Sequence, residues 1–294
     1  MSGAKRYHDL CLNCSAPLSG AWCSQCGQKD PSPHPLLGEL VREATHELAH
    51  WDGKLLSTMR ELVLRPGQLT VDFLGGRRAR WLPPLRLYLI TSLVYFLIGP
   101  TIGAITHRDE RVQIVLPSSL AAPGAEREAQ TQVLKPEVAT AIDNSSIMRI
   151  VGSQKLQRAI ENPKEFGDAI SRTYPKVIFL LMPVVALLLW GAYRSTVPGY
   201  VPHLYFSLHL HAFGFSAFAV LHLLRAFLTN KWLALSLGIA ALLTLVWYAT
   251  AAMRRVYGGS WGRIVGTAAV VGAAYSVIFL IAISSAAIVA LALF

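Results

Sequence analysis

Apolar positions along this chain fall into two regimes. From residue 176 onward, four long apolar runs lie near 176–193, 203–227, 232–252 and 264–290. Each is long enough to cross a hydrocarbon core of about 30 Å. The shortest, 176–193, can be extended by Tyr174. A further apolar run covers 85–103. Ahead of it the pattern changes to helical periodicity. Leu37, Leu40, Val41, Ala44, Leu48, Trp51, Leu55, Met59, Leu62 and Val63 recur in steps of three and four, while Glu39, Glu43, His46, His50, Lys54 and Glu61 fall elsewhere. That spacing predicts an amphipathic stretch lying close to the membrane. Asp52-Gly53 predicts a break in it, with Asp52 capping the second half, and Arg65-Pro66-Gly67 predicts its end. The fold class expected is an all-α membrane protein of about five transmembrane helices, preceded by amphipathic juxtamembrane helices and a small N-terminal cysteine module.

That module is Cys11-Leu-Asn-Cys14 followed by Cys23-Ser-Gln-Cys26. Each Cys-x-x-Cys places two thiolates on one side of a tight knuckle, and two facing knuckles complete a tetrahedron around zinc. Gly27 stands where a knuckle often needs a positive φ. A redox dithiol would normally use one such pair inside a larger fold. Cys11, Cys14, Cys23 and Cys26 are therefore read as ligands of a structural Zn2+. The organisation expected is a zinc ribbon over 1–30, a linker and juxtamembrane helices over 31–84, a first span over 85–103, an extracytoplasmic loop over 104–175 and a four-helix region over 176–294.

Charge sets the sidedness. Residues 1–86 carry eleven Lys/Arg against eight Asp/Glu, and no acidic residue follows Asp168. The net charge of +10 comes partly from short basic loops between spans, as the positive-inside rule requires. Arg77, Arg78, Arg80 and Arg86 form a basic collar before the first span, with Trp81 and Tyr88 as interfacial anchors. The collar places the N-terminus in the cytoplasm and offers anionic lipid headgroups a partner. No signal peptide is read at the start, and four cysteines within sixteen residues suit a reducing compartment. Hydrophobic residues make up 53% and charged residues 15%, the balance of a chain dissolved largely in lipid. A soluble basic stripe with interleaved aromatics is missing, so no nucleic-acid partner is expected.

Several segments are familiar as a set. They are Trp22-Cys-Ser-Gln-Cys-Gly-Gln28, Asp52-Gly-Lys-Leu-Leu-Ser-Thr-Met-Arg-Glu-Leu-Val-Leu-Arg-Pro-Gly67, the run from Phe73 to Tyr88, Pro175–Pro183 and His203–Phe213. Together they resemble the bacterial inner-membrane family catalogued as domain of unknown function 3667 (DUF3667). The resemblance implies the same architecture and a bacterial inner-membrane location, and it implies no activity. Val201-Pro202 stand where an acidic residue is expected before His203, so no carboxylate is implied as that histidine's partner.

Two further patterns bear on chemistry. His46-Glu47-Leu48-Ala49-His50 matches the metalloprotease signature, in which two histidines share a helix face and the glutamate activates a zinc-bound water. Both histidines lie off the apolar stripe and no third ligand is placed, so the protease reading ranks last. In the third span, His203, His209, His211 and His222 are intramembrane polar candidates. His211 and His222 lie three turns apart and share a face, while His203 is placed near the interface. Neutral hydrogen bonding between helices competes there with metal, haem or proton handling. None of the spans carries Asp or Glu, which removes the usual carboxylate of a proton-coupled transporter. The leading expectation is a non-enzymatic adaptor or assembly factor whose ribbon binds a protein partner at the cytoplasmic face. The alternative is a transporter or lipid-handling protein with a histidine-lined path.

Overall fold

A computed structural model describes residues 7–31, 53–106, 173–228 and 230–293, together with positions 38, 155, 162 and 165–167. The first half of the amphipathic stretch, the His46–His50 motif and most of the 104–175 segment lie outside the described residues. The described chain is helical, with two isolated antiparallel bridges at the N-terminus and no strand.

Seven helices follow in order: α1 Lys54–Leu64, α2 Gln68–Leu74, α3 Pro84–Thr106, α4 Tyr174–Tyr193, α5 Tyr200–Ala226, α6 Lys231–Tyr257 and α7 Trp261–Leu293. Helices α4 to α7 are long and apolar enough to cross a membrane, and α3 is apolar over Pro84–Ile98. Helix α6 runs past the expected end of its apolar run, so Arg254 and Arg255 sit on its last turn, where cations suit the helix dipole. Asn230 caps its start by accepting from the Trp232 and Leu233 N–H groups. Helix α1 begins differently from expectation: Gly53 occupies the cap position with no side-chain hydrogen bond, and Asp52 lies outside the described residues.

The chain divides into two compact units, 1–107 with 179–276, and 108–178 with 277–294. In the first unit α5 is the hub. It packs mainly on α3, and also on α6, α2 and α1. Most residues of its apolar stretch are buried, whereas few of those of α6 are. The exposed Leu235, Ile239, Leu242, Leu243 and Val246 of α6 thus form a face suited to acyl chains.

Lipid is as apolar as leucine, so packing and polar ties must hold the helices together. The ties are visible. Ser207 donates to the Met182 carbonyl at 2.7 Å and Tyr200 to the Pro183 carbonyl at 3.0 Å, fixing α5 to α4. Phe213 stacks on Tyr248 with ring centroids 3.5 Å apart, joining α5 to α6. Tyr248 in turn donates to the Leu62 carbonyl of α1 at 2.6 Å.

The α1–α2 hairpin belongs to the same core. Leu62, Leu69 and Leu82 are buried with Phe206, Phe213, Tyr248, Ala252 and Met253. Leu55 and Met59 back them, as the apolar stripe predicts, whereas Val63 faces outward. Thr58 is wholly buried: its hydroxyl donates to the Lys54 carbonyl and accepts from the Leu82 N–H at 3.1 Å. Gly67 makes the turn with φ +78, and a Cβ there would lie 2.8 Å from the Ala252 carbonyl oxygen. Only glycine satisfies both the backbone angle and the close approach of α6.

Candidate metal centre

The N-terminal module is built from one knuckle used twice, twelve residues apart. The Cys11 N–H donates to Ala16 and the Ser15 N–H to Cys11; the Cys23 N–H donates to Gln28 and the Gly27 N–H to Cys23. Bridges Leu10–Pro17 and Trp22–Lys29 flank them. Gly27 has φ +70, as its place predicts, and Ser15 takes the equivalent angle at φ 61. Asp30 closes the module. Its carboxylate accepts from the Tyr7 and His8 N–H groups and contacts His8 Nδ1 at 2.6 Å. Burial opposes ionisation there, and the hydrogen bond from the Tyr7 N–H, with those from His8, outweighs it, so the Asp30 carboxyl lies below its usual range.

The four sulfurs converge. All lie within 4.8 Å of one another, with Cys11–Cys26 at 3.6 Å and Cys14–Cys23 at 3.5 Å. A tetrahedral Zn–S bond of about 2.3 Å implies sulfur separations of roughly 3.8 Å, so the set fits a four-coordinate soft metal. The Cys26 and Gln25 N–H groups point at the Cys23 sulfur and pull its thiol down to about 6. Among the described residues no other group of His, Cys, Asp or Glu comes together in this way.

The collar is not a free basic fringe. Arg77 pairs with Asp72 through Nε at 3.1 Å and Nη2 at 2.8 Å, and Trp81 Nε1 donates to the other Asp72 oxygen at 2.8 Å. Burial opposes ionisation of Asp72, and the bonds from Arg77, Trp81 and Gln68 overcome it, holding the carboxyl below its usual range. Arg78 lies over the Tyr205 ring, with 5.9 Å from its guanidinium carbon to the centroid, and Arg80 lies over Trp81 at 6.0 Å. Arg86 is only 5% exposed, which leaves it little surface for headgroups. Tyr88, expected as an interfacial anchor, is a core residue against Phe179 and Phe215.

The ribbon rests on this collar. Gln28 Nε2 donates to the Gly76 carbonyl at 2.7 Å, and Gln28 Oε1 accepts from the Arg78 and Ala79 N–H groups at 2.9 and 2.8 Å. Gln28 ends the Trp22–Gln28 segment that carries the family resemblance, but nothing local marks it as a docking residue beyond its being a long amide where the first knuckle has Ala16.

The α5 histidines occupy four separate environments. His203, placed near the interface by sequence, is fully buried. Its Nε2 donates to the Val197 carbonyl, which leaves Nδ1 to accept from the Tyr257 hydroxyl, each at 3.0 Å. His209 Nδ1 and the Thr70 hydroxyl of α2 are hydrogen-bonded at 2.9 Å, and Nε2 is buried without a partner. His211 Nδ1 donates to the Ser207 carbonyl at 2.8 Å. His211 and His222 do share a face: they meet Tyr88 and Tyr95 of α3. The His203–Tyr257 and His209–Thr70 bonds and the His211 and His222 ring contacts tie α5 to its neighbours, whereas the His211–Ser207 bond lies within α5.

Fold and sulfur geometry together define a multi-pass membrane protein with an N-terminal four-cysteine ribbon that can hold a metal ion. Residues 52–96 match the model of the family described as "Protein of unknown function (DUF3667)", in agreement with the resemblance of the sequence. The matched stretch contains α1, α2, the collar and most of α3. No curated protein and no solved structure matches the chain.

Proposed function

We propose that the protein is a non-enzymatic adaptor or assembly factor of a bacterial inner membrane, with its ribbon in the cytoplasm and zinc held by Cys11, Cys14, Cys23 and Cys26. The zinc has a structural role, since four protein thiolates leave no open coordination position. What carries the binding role is an exposed apolar pair on a ribbon that is itself held in place. Leu10 is 55% and Trp22 60% exposed, and they occupy equivalent positions beside the two knuckles. A small module that spends its scarce apolar residues on its surface, while its amide Gln28 faces inward, presents a contact face. Large exposed aromatics anchored on a rigid support are the usual centres of protein interfaces.

Charge supports the orientation. Gly67 meets Ala252, and Tyr257 stacks between Tyr193 and His203, so one end of α4, α5 and α6 gathers beside the α1–α2 hairpin. Arg77, Arg78, Arg80, Arg86, Arg194, Arg254, Arg255 and Arg263 belong to that end, and Arg225 and Lys231 to the other. The richer end is the cytoplasmic one by the positive-inside rule.

The test is a photo-crosslinking amino acid at position 22 in native membranes. A protein adduct of one defined mass, lost in Cys23→Ser while membrane insertion persists, is expected. Adducts to lipid alone, or the same adduct from the Cys23→Ser chain, would refute the adaptor role.

A further inference from the structure

The contact between ribbon and collar has a chemical peculiarity. Two successive main-chain N–H groups, from Arg78 and Ala79, converge on one oxygen, Gln28 Oε1. Convergent backbone N–H groups of this kind form an anion-binding concavity. Here a neutral amide oxygen fills it, and the amide is buried to 7% exposure. The turn carries three arginines in four positions, 77, 78 and 80, against one neighbouring carboxylate, Asp72. Arg80 Nη2 reaches the Asn13 carbonyl of the ribbon at 3.5 Å, so its guanidinium is also occupied by the ribbon. Leu12 covers the turn from the other knuckle: a Cβ on Gly76 would lie 2.3 Å from Leu12 Cδ1. Both knuckles therefore close over a site whose polarity suits a negative ligand better than the one it holds.

The cover depends on the sulfurs. The ribbon's own buried apolar core is Cys11, Ala16, Leu18 and Cys23, two of which are ligand candidates. A core of that size does not hold a fold without its metal. Metal loss would release Gln28, Leu12 and Asn13 together, freeing two N–H groups and the Arg80 guanidinium at one place.

We propose that the Gly76–Arg80 turn is a binding site for the phosphate of an anionic phospholipid, and that the metal-loaded ribbon caps it through Gln28. The inference rests on the cysteine cluster being a metal site and is independent of any protein partner. By linkage, metal and phospholipid weaken each other's binding by the same factor.

The experiment uses the full chain in neutral detergent. Metal per chain, amide hydrogen exchange over residues 76–80, and binding of dihexanoyl-phosphatidylglycerol by native mass spectrometry are measured together. Dihexanoyl-phosphatidylcholine and inorganic phosphate serve as the other two probes. Gln28→Leu, which keeps all four cysteines, is expected to retain its metal, to lose protection at Arg78 and Ala79, and to bind phosphatidylglycerol at least about tenfold more tightly. Chelator-treated wild type should behave alike, which supplies a route without mutation. Adding Arg80→Ala to Gln28→Leu should erase the gain. The proposal is overturned if the two amides open without a gain in binding. It is equally overturned if phosphatidylcholine gains as much, or if only inorganic phosphate gains. A wild-type chain that takes up no metal would refute the metal reading separately, and the Gln28→Leu arm would still decide the site.

Discussion

Gly67 and Asp72 show how single residues fix this molecule. Gly67 combines a left-handed φ of +78 with a carbonyl of α6 where a Cβ would go. Gly67→Ala should therefore cost about 2–5 kcal/mol, the sum of the left-handed penalty and overpacking. A lower midpoint of thermal unfolding in detergent checks this, with Gly262→Ala as control, because nothing lies within 4 Å of that position. Asp72 collects Gln68, Arg77 and Trp81 on one carboxylate, and its pKa is depressed in the folded state. The stability it contributes is present above the unfolded carboxylate value of about 3.9 and is lost as pH falls through the lower folded value. Asp72→Asn should lower the unfolding midpoint at pH 7, and its deficit against wild type should shrink below about pH 4. A deficit unchanged across that range would contradict this account. Sequence alone pointed to a turn at Arg65-Pro66-Gly67 because proline and glycine act locally. The presence of Ala252 against it was not legible, since no local pattern encodes a contact so distant along the chain.

At the scale of elements, the four apolar runs from residue 176 onward are legible because lipid imposes length and composition on any helix that crosses it, while the run before them gives a shorter apolar stretch, Pro84–Ile98. What each helix does inside the bundle is not legible. Composition makes α5 and α6 similar, yet one is central and the other faces outward. Tyr88 illustrates the difficulty: an aromatic next to a basic segment suits either an interface or a core, and packing against Phe179 and Phe215 decides it. The polar ties are the elements' specific joints. Thr58→Val should leave the Leu82 N–H buried without an acceptor, at about 1–3 kcal/mol. Tyr248→Phe removes one hydrogen bond to the Leu62 carbonyl while keeping the stack on Phe213, and should cost about 1 kcal/mol. Chemical unfolding of the two variants in the same detergent would give that ordering, and a larger loss for Tyr248→Phe would contradict it.

Viewed whole, the chain joins a metal-type module to a membrane bundle through a turn that both of them shape. The cysteine spacing was legible because ligand geometry is short-ranged, with four sulfurs from two Cys-x-x-Cys pairs. The docking was not, since it depends on Gln28 and Gly76, forty-eight residues apart. Metal removal by a chelator should therefore raise hydrogen exchange in the ribbon and at Arg78 and Ala79, while α5 stays protected.

The bond between Tyr248 and Leu62 spans 186 residues and joins α1 to α6. During synthesis at about 5–20 residues per second, the hairpin waits some 10–40 s for that partner to emerge. Until α6 emerges, Leu62 and Leu69 lack Tyr248, Ala252 and Met253, the part of their shared core that α6 supplies. A chain stopped before residue 231 keeps α5 but loses the α6 cover, and its hairpin should be cut by protease faster than that of the finished chain.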